Sequence, residues 1–140
     1  MKKHKIIKHS YDELARVGRR YYGDKNFCAV IAAAVINDWS FGIAKAKLES
    51  RGFRKKGAGV YARDTHSLLV EHGKEVVPVR ADRYGKTLMT FSRNIPTEGR
   101  YLIHTRGHIT AVRDGEMADH PNCKRSRKPI TALYKIVDAS

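Results

Sequence analysis

Residues 28–37, "CAVIAAAVIN", limit the fold more than any other stretch, because between Cys28 and Asn37 they offer only Ala, Val and Ile. A helix with no polar face is a core helix, and other elements must cover it. Its three alanines at 32–34 suit close packing of a helix on a sheet. With 140 residues, 41% of them apolar, the chain is long enough to build that core and is read as one domain, 1–140.

The local signals divide the chain into two halves. "SYDELARVGRRYY" has Ser10 followed three residues later by Glu13, a capping-box pattern that starts a helix near Tyr11. Asn26 is placed to cap a second helix from Phe27 to about Asn37. A third follows Ser40 and stops at Gly52, and a fourth, "ARDTHSLLVEHG", closes at Gly73. "EVVPV" reads as a strand that Pro78 assigns to a sheet edge, and "KTLMTFSRNI" as a short helix capped by Thr87. From there the period shortens: "RYLIHT", "HITAVRD", "EMAD" and "ITALYKIV" are strand-like runs separated by turn residues. The reading is an α+β fold with a basic arm over 1–9, a helical half over 10–73, and a mainly antiparallel sheet half over 74–137.

Charge narrows the partners. Twenty-eight Lys and Arg against 14 Asp and Glu give a net +14, which favours acidic proteins, nucleic acid or another anionic surface. The basic runs are Lys2, Lys3, Lys5 and Lys8, then "RR" at 19, "RKK" at 54, and Lys124, Arg125, Arg127 and Lys128 in a late loop. That last cluster is the candidate binding patch; clustered cations suit phosphate contacts, and no sequence-reading motif accompanies them. The alternative is a solvated surface that aids solubility. The two cysteines, Cys28 and Cys123, are too few for a disulfide framework, which points to a reducing, cytoplasmic setting. "MKKHKIIKHS" has the charges of a secretion signal but only Ile6 and Ile7 for its apolar region, and no segment reads as a membrane span.

The chemistry sits in "GHITAVRDGEMAD", residues 107–119. Asp114-Gly115 is a two-residue hairpin turn, which pairs Arg113 with Glu116, Val112 with Met117, Ala111 with Ala118 and Thr110 with Asp119. Strand alternation then places His108 and Asp119 on one face as diagonal neighbours, roughly 7 Å apart at the backbone. Asp114, roughly 20 Å along the strand from His108, is turn chemistry. A His held by an Asp, with a Cys at a helix N-terminus, has the parts of a thiol acyl-transfer site. Cys28 is the nucleophile, His108 the proton shuttle, Asp119 the group that fixes its tautomer, and the Cys28 backbone N–H an oxyanion donor. Taken alone, Cys28 is equally a small core hydrophobe.

These two blocks, "NFCAVIAAAV" and "GRYLIHTRGHITAVRDGEMAD", resemble the papain-like cysteine peptidases, more closely the small papain-like proteins encoded by bacteriophages, and also the bacteriocin-processing branch. The resemblance spans about residues 24–119. It implies a papain-like fold, the helical half with its Cys at a helix N-terminus packed on the antiparallel sheet, and a hydrolase of peptidase or isopeptidase type acting on a protein or peptide. It also implies Cys28, His108 and Asp119 as the catalytic set; separately, no cofactor and no metal are expected. Papain-like enzymes place an oxyanion-hole Gln before the cysteine, and this chain contains no Gln. The side chain of Asn26, or the Tyr22 hydroxyl, is the substitute expected. The alternative function is a non-catalytic basic phage protein on the same scaffold, bound to nucleic acid, a virion component or an acidic host protein.

Other residues invite weaker readings. His104, His108, His120 and Cys123 are metal-ligand types, yet their spacings match no zinc pattern. Cys123 reads as an exposed loop thiol. Trp39, Phe41 and Tyr61 read as packing beside the Cys28 helix rather than as a substrate groove.

Overall fold

The computed structural model describes residues 10–23, 26–55 and 59–139, without the Ala81 side chain; the basic arm over 1–9 lies outside the described residues. Ser10 accepts the Glu13 N–H with its hydroxyl (3.3 Å) and starts α1, Tyr11–Arg16, which runs on as a π-helical turn, Val17–Tyr21. The helices α2 (Cys28–Asn37), α3 (Phe41–Ser50) and α4 (Ala62–Glu71) follow. Ser40 caps α3 by accepting the Ile43 N–H, and Gly52 leaves that helix at φ 73°, a left-handed turn that glycine adopts without strain.

β1 (Lys74–Val79), α5 (Leu88–Arg93), β2 (Arg100–Thr105), β3 (His108–Arg113), β4 (Glu116–Ala118) and β5 (Ala132–Asp138) complete the fold. Thr87 and Thr90 exchange side-chain and backbone hydrogen bonds in a capping box at the start of α5. The sheet has five strands in the order β1-β5-β2-β3-β4, antiparallel at every pairing. β1 is an edge strand, which is why Pro78 is tolerated there. The mixed α+β architecture read from the sequence is therefore present, with the sheet and α5 in its second half.

Alternation along the strands gives the sheet two apolar faces. Leu102, Ile109, Ala111 and Ile136 join α1 to α4 in the larger core. Tyr101, Ile103, Val112, Met117 and Leu133 join Leu88 and Phe91 of α5 in the smaller one. α2 lies across β3 and packs against α1, α3 and α4, so residues 29–36 are all buried, Val35 at 4% being the most exposed. A helix with no polar side survives only in such a position.

Arginines fix this apolar helix at both ends. At its C-terminus Arg100 donates to the Ile36 carbonyl (3.0 Å) and Arg113 to the Val35 carbonyl (3.1 Å), where cations also suit the helix dipole. Arg113 is further paired with Asp38, and Arg100 with Asp138. At the other end Arg54, 3% exposed, donates to the Asn26 carbonyl (2.9 Å) and approaches Glu49 at 3.4 Å. Part of the positive charge thus works inside the fold; Arg54 leaves the basic run at 54, whose Lys55 is exposed and whose Lys56 lies outside the described residues.

Several expectations are corrected. Asn26 is not the cap of α2: Phe27 holds the N-cap position and makes no side-chain cap hydrogen bond, and the helix begins at Cys28. The β3–β4 ladder ends at Ala111 opposite Ala118, so Asp119 follows the strand instead of pairing with Thr110; its N–H turns back to the Met117 carbonyl (3.0 Å). Tyr61 is 73% exposed and takes no part in packing beside α2, whereas Phe41 is 1% exposed and Trp39 packs against the larger core. Cys123 is half-buried, in a 3-10 turn (Pro121–Arg125) that rests against the smaller core.

Candidate active site

The hairpin places the histidine and the carboxylate. Asp114 and Gly115 both adopt positive φ, 47° and 88°, the two left-handed residues that a tight hairpin turn needs. Arg113 then pairs with Glu116, Val112 with Met117 and Ala111 with Ala118, the register expected from the sequence. Asp114 serves the turn: its carboxylate accepts the Gly99 N–H at 3.0 Å. His108 and Asp119 meet, with His108 Nε2 2.5 Å from Asp119 Oδ2. The Thr110 hydroxyl donates to the same oxygen, and the His120 N–H donates to Oδ1 at 2.7 Å. The carboxylate is thus held from both sides, its side chain 9% exposed against 26% for His108.

The His108 imidazole and the Ile109 and Ala29 backbone N–H groups are the neighbours that act on the Cys28 thiol, on the first turn of α2. Burial alone pushes this thiol up; the bond with His108, the backbone N–H groups and the imidazolium charge outweigh it and hold the thiol below its ordinary range. The bond to Asp119 and the contact with Cys28 push His108 up to about 10 against its own desolvation. Burial raises Asp119, yet the His108 and Thr110 bonds leave it below the usual carboxylate range. The arrangement favours a thiolate beside an imidazolium, with Asp119 as counter-charge.

Cavities open on both sides of Cys28 and His108. One of about 320 Å³ is lined by Tyr11, Asn26, Phe27 and Asp119 as well as the pair. The other, of about 240 Å³, is lined by Tyr61, Thr65, His104 and Thr105 as well as the pair. Asn26 therefore borders the site, one residue before the N-cap of α2. Tyr22 does not: its ring stacks on Phe41 (centroids 5.5 Å apart), and it lines a different cavity with Ser40 and Gly42.

The four metal-ligand types singled out in the sequence are not brought together. His104 meets His66, Nε2 to Nε2 at 3.0 Å, and His120 Nδ1 accepts the Asn122 N–H at 3.1 Å. Among the described residues, the ligand-type atoms that converge are those of His108, Asp119 and Cys123, within 4.8 Å of one another. Burial and the Asp119 charge push the Cys123 thiol up to about 12, the opposite of an activated cysteine. Lys124, Arg125, Arg127 and Lys128 are exposed on the segment that follows.

Sequence reasoning missed two groups here. Arg54 reads as one cation in a basic run, and only the fold shows its side chain buried beneath the loop that leads into Cys28. The His66–His104 pair joins residues 38 apart with no shared motif. Comparison with protein-family models, with curated proteins and with solved structures finds no match for this chain.

Proposed function

We propose that the protein is a papain-like cysteine hydrolase of peptidase or isopeptidase type, acting on a protein or peptide. The observation that carries this reading is the convergence of Cys28 from α2, His108 from β3 and Asp119 from beyond β4 on one cavity, with a 2.5 Å His108–Asp119 contact and the imidazole acting on the thiol. The thiolate attacks the substrate carbonyl carbon and a tetrahedral oxyanion forms. Its collapse breaks the C–N bond as His108 gives a proton to the leaving amine. Water then attacks the thioester with His108 as base, which releases the acid and restores the thiol. The Cys28 backbone N–H and the Asn26 side-chain amide are the oxyanion donors assigned in place of a Gln.

The exposed Lys124, Arg125, Arg127 and Lys128, on the segment just past Asp119, support a substrate or partner with an acidic surface. They also carry the second reading, a non-catalytic protein that binds nucleic acid or an acidic protein through this face. Incubation with a quenched fluorescent peptide pool separates the two. Cleavage by the wild type that is absent in Cys28→Ser supports the hydrolase, and equal signal from both proteins contradicts it. No single helix among the described residues is long and apolar enough to cross a membrane.

A further inference from the structure

The ladder between β3 and β4 stops one rung before the site. Ala111 faces Ala118, and the next pair in that register would be Thr110 with Asp119. Instead the Asp119 N–H turns back to the Met117 carbonyl at 3.0 Å, so the backbone pairing that ties this segment to β3 ends at Ala118. The carboxylate that holds the imidazole therefore sits where the chain is leaving the sheet.

A side chain takes over where the backbone stops. The Thr110 hydroxyl donates to Asp119 Oδ2, the same oxygen that lies 2.5 Å from His108 Nε2. Thr110 is itself fixed: it is 1% exposed, in the interior of β3, and faces Ile103 across the β2–β3 ladder. It lies two residues from His108, so both side chains leave the strand on one face and reach one oxygen from one strand. The second oxygen has a different kind of hold. Oδ1 accepts the His120 N–H at 2.7 Å, and His120, next in the chain, travels with Asp119 rather than with β3.

We infer that Thr110 is a positioning residue of the site: its hydroxyl stands in for the missing rung and fixes the Asp119 carboxylate against the His108 imidazole. The inference rests on the reading of Cys28, His108 and Asp119 as the reacting set, and Thr110 acts in it only through Asp119. The same bond helps to keep Asp119 ionised against its burial. Without it the carboxylate loses a charge-assisted hydrogen bond and is free to turn from the imidazolium.

Other groups that face Asp119 stay constant in the test. The Tyr11 phenol of α1 and the Cys123 thiol of the following turn are both pushed up, chiefly by burial, Cys123 to about 12. Asp12, Arg113, Glu116 and Lys124 line the adjoining cavity, and substitutions at Thr110 leave them all in place.

The test compares Thr110→Val, which keeps the branched shape without the hydroxyl, with Thr110→Ser, which keeps the hydroxyl. Thr110→Ala against Thr110→Ser repeats the comparison without the methyl group, should the valine variant fail to fold. In the whole protein the His108 ring is followed by NMR across pH, its signal identified by its loss in His108→Ala, and Cys28 by iodoacetamide alkylation at pH 6. The hydroxyl-free variants should lower the His108 pKa from about 10 by about one unit and slow alkylation about tenfold, the worth of one hydrogen bond to a charged group. Thr110→Ser should match the wild type in both. An unchanged His108 pKa in Thr110→Val and Thr110→Ala, or an equal fall in Thr110→Ser, would overturn the inference. A fall confined to the hydroxyl-free variants, together with an ordinary alkylation pH profile for wild-type Cys28, would support the role of Thr110 while removing the catalytic reading of Cys28.

Discussion

His108 Nε2 lies 2.5 Å from Asp119 Oδ2, across a hairpin that separates the two residues by 11 positions. The carboxylate is already saturated by Thr110 and the His120 N–H, so it cannot swing away from the imidazole without losing those bonds. His108 is thereby held through Nε2 while it lines the same cavity as Cys28.

Asp119→Asn keeps the shape and removes the charge. It should lower the His108 pKa from about 10 toward its ordinary value and weaken the thiolate–imidazolium pair. The rate of Cys28 alkylation at pH 6 should fall roughly tenfold for each unit by which the Cys28 pKa rises. Peptide hydrolysis should fall further, about 10³-fold, because the amide also favours the wrong imidazole tautomer. Stopped alkylation assays and peptide turnover measure the two effects separately.

Arg54 is tied to the Cys28 loop through its backbone. Its guanidinium holds the Asn26 carbonyl at 2.9 Å, two residues before the thiol, and its side chain is fully enclosed. Arg54→Met should fill the same space, lose the charged hydrogen bond and cost about 2 kcal/mol in denaturant unfolding. Cys28 alkylation at pH 6 should slow in the folded variant, since the loop entering α2 loses its anchor. An unchanged alkylation rate with lowered stability would confine Arg54 to a structural role.

How much of this was legible beforehand depends on whether a signal was local. The Asp114-Gly115 turn fixes the hairpin register as far as Ala118 through backbone chemistry at two adjacent residues, which brings His108 and Asp119 near each other as expected, although Asp119 reaches the imidazole from just past the ladder. The apolar run of α2 likewise announces its own burial. The cap of that helix was misassigned because Asn26 has the right residue type one position too early. Arg54, Arg100 and Arg113 carry no local mark that distinguishes an internal guanidinium from a surface one; docking of α2 on β2 and β3 creates the carbonyl partners of Arg100 and Arg113, and folding of the chain after α3 onto the loop before α2 creates that of Arg54. The His66–His104 pair is equally a product of tertiary placement.

The His66–His104 pair makes stability sensitive to acid. Burial, then the neighbouring His66, push His104 down to about 4, whereas an unfolded histidine titrates near 6.5. Between those values the unfolded chain binds a proton that the folded chain refuses. The stabilisation is present above about pH 6.5 and is lost as pH falls toward 4, by on the order of 3 kcal/mol. Urea unfolding at a series of pH values should show this slope, and His104→Leu should flatten it.

The exposed cations past Asp119 should act as one electrostatic surface. A single-stranded oligonucleotide or polyglutamate should bind the wild type with an affinity that falls steeply with salt. Replacing Lys124 and Arg127 with Ser should reduce the slope of log K against log salt by about one for each removed cation that engages the polyanion. A slope that does not change would show that these residues do not carry the binding.

The central claim is that His108 activates Cys28, and the pH profile of iodoacetamide alkylation tests it most directly. In the wild type Cys28 should react with an apparent pKa below the ordinary value of about 8.5, and His108→Ala should move that value up toward it. A Cys28 that titrates at about 8.5 or above, with a profile unaltered by His108→Ala, would contradict the account and return the residue to core packing.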